Sequence, residues 1–213
     1  MLKIGSDPIF MTLLFMGTEQ AVAFFVFAVV AAVTPGPSNV LLTATGANVG
    51  VQRGLPALLG VCLGMASMMF AVAFGLGSLI LDHPGVLTAM KWAGAAFLLW
   101  LAWKIATAEG AGVAEDARPI GFVAAAAFQW INPKAWLACA SAAATYLRAD
   151  SGGALAQSVA FAALFAAATL PSGFVWLGFG VGVRRWLASP RALRAFNLTM
   201  GALLAASVLL FVL

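Results

Sequence analysis

Six apolar segments of about 20 residues or more, each bounded by charged or turn-forming residues, divide this chain of 213 residues. Twenty helical residues rise about 30 Å, the thickness of a bilayer's hydrocarbon core, so segments of this length dictate helices that cross a membrane. The expected spans are 20–47, 55–81, 86–106, 120–147, 153–183 and 191–213. Composition excludes the alternative of a soluble domain. Hydrophobic residues make up 63% and charged residues 8%, and the mean hydropathy is +1.03. So few charges would not solvate a free surface. The expected fold is an all-α membrane protein of six transmembrane helices, a single domain over 1–213. Residues 1–18 form an N-terminal extension, and Asp7 and Pro8 within it, with Glu19 and Gln20 just after it, argue against a cleaved signal peptide. Residues 107–119 are the one connection long enough to link two halves.

The net charge of +4 does not indicate nucleic acid, because the eleven basic residues are scattered through connections instead of gathered on one face. Their distribution gives an orientation. Arg53, Lys104, Arg118, Arg184, Arg185, Arg191 and Arg194 fall on one side, against Lys3, Lys91 and Arg148 on the other. Seven against three puts both termini outside, and residues 107–119 in the cytoplasm. Trp92, Trp103 and Trp186, each beside a basic residue, read as interfacial anchors.

Thr34-Pro35-Gly36-Pro37 interrupts the first span. Proline has no N–H to close a helical bond and clashes with the preceding turn, so carbonyls near Ala31 and Val33 lose their partners. Lipid cannot satisfy them. They must face protein, water or a ligand, as in the broken helices of transporter binding sites. Asn132-Pro133-Lys134 interrupts the fourth span in the same way. Each half therefore opens with a broken helix. Because three spans is an odd number, a duplicated half would lie upside down, which predicts two inverted three-helix repeats with helices 1 and 4 broken. Residue identity between the halves is thin, with Gly75 against Gly173 the one match beyond the prolines.

Lys134 lies midway along the fourth span, roughly 20 Å from either end, beyond reach of an interface. A buried ammonium needs a partner, a carbonyl cluster or a wet cavity, and such groups mark substrate or ion pathways. Capping the freed carbonyls is the plainer role, and the two are compatible. Thr34, Ser38 and Thr45 form one polar stripe, and Lys134, Ser141 and Thr145 another, with Gln129 and Asn132 just before it. Gly60 and Gly64 form a small-residue pair for close helix packing. Pro171-Ser172-Gly173 reads as a kink, with Ser172 a minor contact.

Other chemistries lack their residues. Cys62 and Cys139 sit in apolar runs without metal-site spacing, and His83 is the sole histidine. There is no acid pair or nucleophile set, so no enzyme is expected, and no cofactor. Gly178, Gly180 and Gly182 follow no strand and make no phosphate loop.

These residues resemble the LysE/RhtB-type amino-acid exporter family. The resemblance rests on Thr34-Pro35-Gly36-Pro37, Arg53-Gly54, residues 91–98 with Trp103-Lys104, and Asn132-Pro133-Lys134, and it covers the chain from Phe24 onward. It implies secondary-active efflux of amino acids or related metabolites across the bacterial inner membrane, coupled to the proton gradient. Many members carry an acidic residue just after the glycine pair of the second span, where this chain has Met65. With no acid deep in any span, neutral amino acids are favoured over basic ones. The expected substrate site is Thr34, Pro35, Gly36, Pro37, Ser38, Asn39, Gln129, Asn132, Pro133 and Lys134. Backbone carbonyls of the first break receive the ammonium, and Lys134 receives the carboxylate. The expected partners are that substrate and the lipid bilayer, with a homo-oligomer left open. A non-transporting scaffold and a passive channel are the alternatives.

Overall fold

A computed structural model describes residues 17–77, 83–107, 120–148, 153–186 and 189–212. The described residues are helical, with no strand among them. In chain order they form α1 (Thr18–Val33), α2 (Pro37–Ala71), a π-helical turn (Val72–Leu76), α3 (Pro84–Ala106), α4 (Phe122–Ile131), α5 (Pro133–Tyr146), α6 (Ala154–Trp186) and α7 (Pro190–Val212). The extension before residue 17 and most of the 107–119 linker lie outside the described residues. Among the described residues, three helices are long and apolar enough to cross a membrane: Pro37–Leu76, Pro84–Ala106 and Ala154–Arg184. Their outward faces carry large apolar side chains, with Trp103 63% and Val175 69% exposed. Lipid suits such a surface and water does not.

The first of these three helices is not a single rod. Gly50 has φ 79° and ψ −179°, a backbone that side chains disfavour. Leu42 and Leu58 both lie 3.4 Å from where a Cβ on Gly173 would sit. On a straight helix these leucines would be about 24 Å apart, so the chain folds back at Gly50. The sequence predicts a connection over 48–54; the structure makes the reversal at one glycine and leaves Gln52 and Arg53 helical. One glycine with a left-handed φ replaces a loop.

The reversal sets the packing around α6. Phe24 meets Phe161 with ring centroids 4.4 Å apart, Ala32 accepts from Ser172, and Thr43 donates to the Trp176 carbonyl. The order rises in both helices, so α1 and the first part of α2 run parallel to α6 as one interrupted rod. After Gly50 the direction reverses, with Gly54 against Leu177 and Cys62 against Ala166. Glycine permits the closest approaches. A Cβ on Gly46 would collide with the Leu177 carbonyl, one on Gly180 with the Thr43 carbonyl, and one on Gly60 with the Phe122 carbonyl. Gly60 and Gly64 thus seat α4, as their spacing predicts. Gly201 likewise seats α7 on Ala102 and Ala106 of α3.

The buried side chains form two apolar clusters. Leu41, Leu42, Leu58, Leu98, Leu101, Phe128, Leu177 and Leu204 belong to one. Phe24, Met65, Met68, Met69, Ala135, Cys139, Phe161 and Phe165 belong to the other. Along α4 and α5 the first cluster ends at Phe128 and the second begins at Ala135. The polar residues between them, Gln129, Asn132 and Lys134, occupy the seam.

Candidate functional site

Both interruptions are helix restarts shaped by proline. Pro37 and Pro133 each sit at the first turn of a new helix, where the missing N–H has no intrahelical partner to lose. Asn132 caps α5, its Oδ1 accepting from the Lys134 N–H at 3.2 Å. Gly36 is extended at φ −175°, so its need for glycine is one of space: a Cβ there would lie 2.6 Å from Lys134 Cδ.

The two breaks face each other. Lys134 Nζ donates to the Thr34 carbonyl and lies 3.4 Å from that of Pro35. Ser38 Oγ donates to Gln129 Oε1 at 2.9 Å and accepts from Asn132 Nδ2 at 3.0 Å. Gln129 Nε2 turns back to the Ala125 carbonyl. Asn39 Nδ2 spreads over the carbonyls of Ala32 at 3.1 Å and Thr34 at 3.2 Å, with that of Val33 at 3.5 Å. Ser172 Oγ donates to Ala32 O at 2.9 Å. The carbonyls of Ala32, Val33, Thr34 and Pro35 are therefore bonded to Asn39, Ser172 and Lys134 and do not stand open across a cavity. An ammonium at the carbonyl end of α1 also meets the negative end of that helix's dipole.

The ten predicted residues thus gather at one place, in different roles. Ser38, Asn39, Asn132 and Lys134 line a cavity of about 40 Å³. Thr34 and Pro35 supply carbonyls to Lys134, Gln129 holds Ser38, Gly36 makes room, and Pro37 and Pro133 restart helices. The polar stripes do not extend as their spacing suggests. Ser141 and Thr145 are exposed, and Thr45 is buried with its hydroxyl on the Leu41 carbonyl of its own helix. Pro171 lies inside α6, which is continuous from Ala154 to Trp186, and Ser172 beside it donates to the Ala32 carbonyl of α1.

Met65, Val61, Phe165 and Thr169 complete the cavity and are absent from the sequence-derived site. Met65 and Thr169 had a legible neighbour each, the Gly60/Gly64 pair and the Pro171 motif. The inward aim of their side chains had none. Among the described residues Glu19 is the only carboxylate side chain, and no cluster able to hold a metal ion is found among them.

Comparison with known proteins agrees with this architecture. A cysteine/O-acetylserine efflux protein of Salmonella typhimurium is 34% identical over 125 residues, which is 59% of this chain and 64% of that protein. A protein of the same description from Escherichia coli is 35% identical over 125 residues, with the same shares. The chain thus matches less than two thirds of these relatives' length. No solved structure matches it. The sequence pattern of the LysE type translocator family matches residues 29–213, which takes in both breaks and every helix after α1. On that match, the chain belongs to the LysE type translocator family.

Proposed function

We propose that this protein exports neutral amino acids across the bacterial inner membrane by secondary-active transport, with alternating access between two inverted three-helix halves. The observation that carries the reading is the pairing of Lys134 with the Thr34 and Pro35 carbonyls, one break supplying a cation and the other its acceptors. A zwitterion fits between them. Its carboxylate takes over Lys134 and its ammonium takes over the carbonyls, so both halves of the resting contact are replaced in kind. Ser38, Asn39, Asn132 and Gln129 orient it. With Met65 where an acid would otherwise neutralise a cationic side chain, a neutral amino acid is preferred. The names of the curated relatives, cysteine/O-acetylserine efflux proteins, point the same way.

Inverted halves are supported by opposed directions. Ser38 meets Gln129, Thr34 meets Lys134, and Phe24 meets Tyr146, so the two broken rods pass each other antiparallel. Their unbroken neighbours, α6 and the part of α2 after Gly50, are antiparallel as well. The cavity of about 40 Å³ is too small for an amino acid, so substrate entry requires it to widen. Rocking of the halves opens it to one side at a time. We take both termini to lie on the periplasmic side, following the distribution of basic residues.

One observation favours a scaffold instead: the carbonyls of Ala32, Val33, Thr34 and Pro35 have protein partners. Export separates the readings. Bacterial cells expressing the protein and challenged with cysteine or serine are expected to release it faster than cells without it, with a rate that saturates. An unchanged rate contradicts the exporter, and a non-saturating rate indicates a channel.

A further inference from the structure

The cavity has two unlike walls. Ser38, Asn39, Asn132 and Lys134 are polar, whereas Val61, Met65, Phe165, Ala135 and Ala138 are apolar. Thr169 is the polar residue on the α6 side, one helical turn after Phe165. Only 7% of its surface is exposed, and its Oγ1 is buried with no hydrogen-bond partner. Gln20 Oε1 is the other buried orphan found among the described residues, but the Gln20 amide is tied to the Tyr146 carbonyl and lies outside the cavity.

An unbonded threonine hydroxyl on a helix needs explaining, because the carbonyl four residues back is always within reach. Thr34, Thr45, Thr88, Thr107 and Thr199 all donate to that carbonyl. Thr169 does not, and it is deeply buried, where an unpaired hydroxyl is penalised most. A buried, unbonded hydroxyl at the edge of a small cavity is a group that a polar ligand atom can bond.

We infer that Thr169 recognises the polar atom of the substrate's side chain, so that Met65, Phe165 and Thr169 form the side-chain subsite. This rests on the exporter reading, in which Lys134 and the opposite carbonyls hold the amino acid's charged groups. The apolar wall accepts a short aliphatic stem. The hydroxyl, both donor and acceptor, accepts a terminal hydroxyl, thiol or ester. A substrate lacking that atom leaves Thr169 unpaired, and sites built to bond a polar group discriminate strongly against analogues without it.

The test is the ratio of initial serine and alanine counterflow rates in proteoliposomes of the purified protein. The wild type is expected to favour serine about tenfold. Thr169→Val, nearly the same shape without the hydroxyl, is expected to bring serine down to the alanine rate and leave alanine unchanged. Thr169→Ser is expected to retain the preference. Thr169→Val is also expected to unfold at a temperature no lower than the wild type, since it removes a buried orphan, and Thr169→Ala gives a second route to the same ratio. A serine to alanine ratio unaltered by valine or alanine, or both rates falling together, overturns the assignment while leaving the exporter intact. Movement of neither amino acid by the wild type removes the exporter reading, and this one with it.

Discussion

At the scale of single residues, the site depends on who occupies the space over Gly36. Lys134 lies across that glycine with its Cδ where a Cβ would intrude at 2.6 Å and its Nζ at 3.0 Å. Methylenes and an ammonium at the end of a long side chain yield more easily than backbone. Gly36→Ala is therefore expected to fold, with Lys134 moved off the Thr34 and Pro35 carbonyls, and to lower export several-fold with little change in the thermal midpoint. Parallel export and melting measurements check it. Ser38 is different, because it is both donor and acceptor. Ser38→Ala leaves Gln129 Oε1 and Asn132 Nδ2 without their partner, and should destabilise the fold by about 1–3 kcal/mol. A detergent melt that matches the wild type would show that water replaces the hydroxyl. How these residues meet was only partly legible in the sequence. Proline chemistry marks where both breaks must fall, and burial depth marks Lys134 as needing a partner. That Asn39 and Ser172 already satisfy the broken carbonyls depends on tertiary contacts, which no local pattern encodes.

At the scale of helices, glycine determines how closely the elements pack. Gly180 and Gly178 lie on α6 two residues apart, yet a Cβ on Gly180 would strike the Thr43 carbonyl while one on Gly178 meets nothing within 4 Å. Gly180→Ala should destabilise by about 1–3 kcal/mol or more, because backbone and not a flexible side chain must move. Gly178→Ala should be near neutral or slightly stabilising. Thermal unfolding of the two variants side by side checks the difference, and equal midpoints would contradict the packing. Spacing alone revealed Gly60 and Gly64, which repeat at four residues on one face. Gly46 and Gly180 have no such repeat with each other, since they lie on different helices, Gly46 against Leu177 and Gly180 against Thr43. Gly50 was hidden for another reason. Its neighbours Asn48, Gln52 and Arg53 read as a polar loop, whereas one positive φ suffices for the turn.

At the scale of the whole molecule, apolar runs predict an all-helical membrane chain, and three helices among the described residues are long and apolar enough to cross a bilayer. The runs say nothing of which helix lies beside which. The pairing of the two broken rods, antiparallel and meeting at Lys134, is the result of folding that gives the chain a site. Two apolar clusters hold the rods on either side of that seam. An amino acid does not fit a cavity of about 40 Å³, so the proposed transport requires the two clusters to move relative to one another. The most direct measurement is the initial rate of labelled serine counterflow in proteoliposomes of the wild type and of Lys134→Ala, reconstituted at equal density. A saturable wild-type rate that falls at least tenfold in Lys134→Ala, in a variant that still melts cooperatively, is the predicted result. A Lys134→Ala rate equal to that of the wild type would contradict the account at its centre.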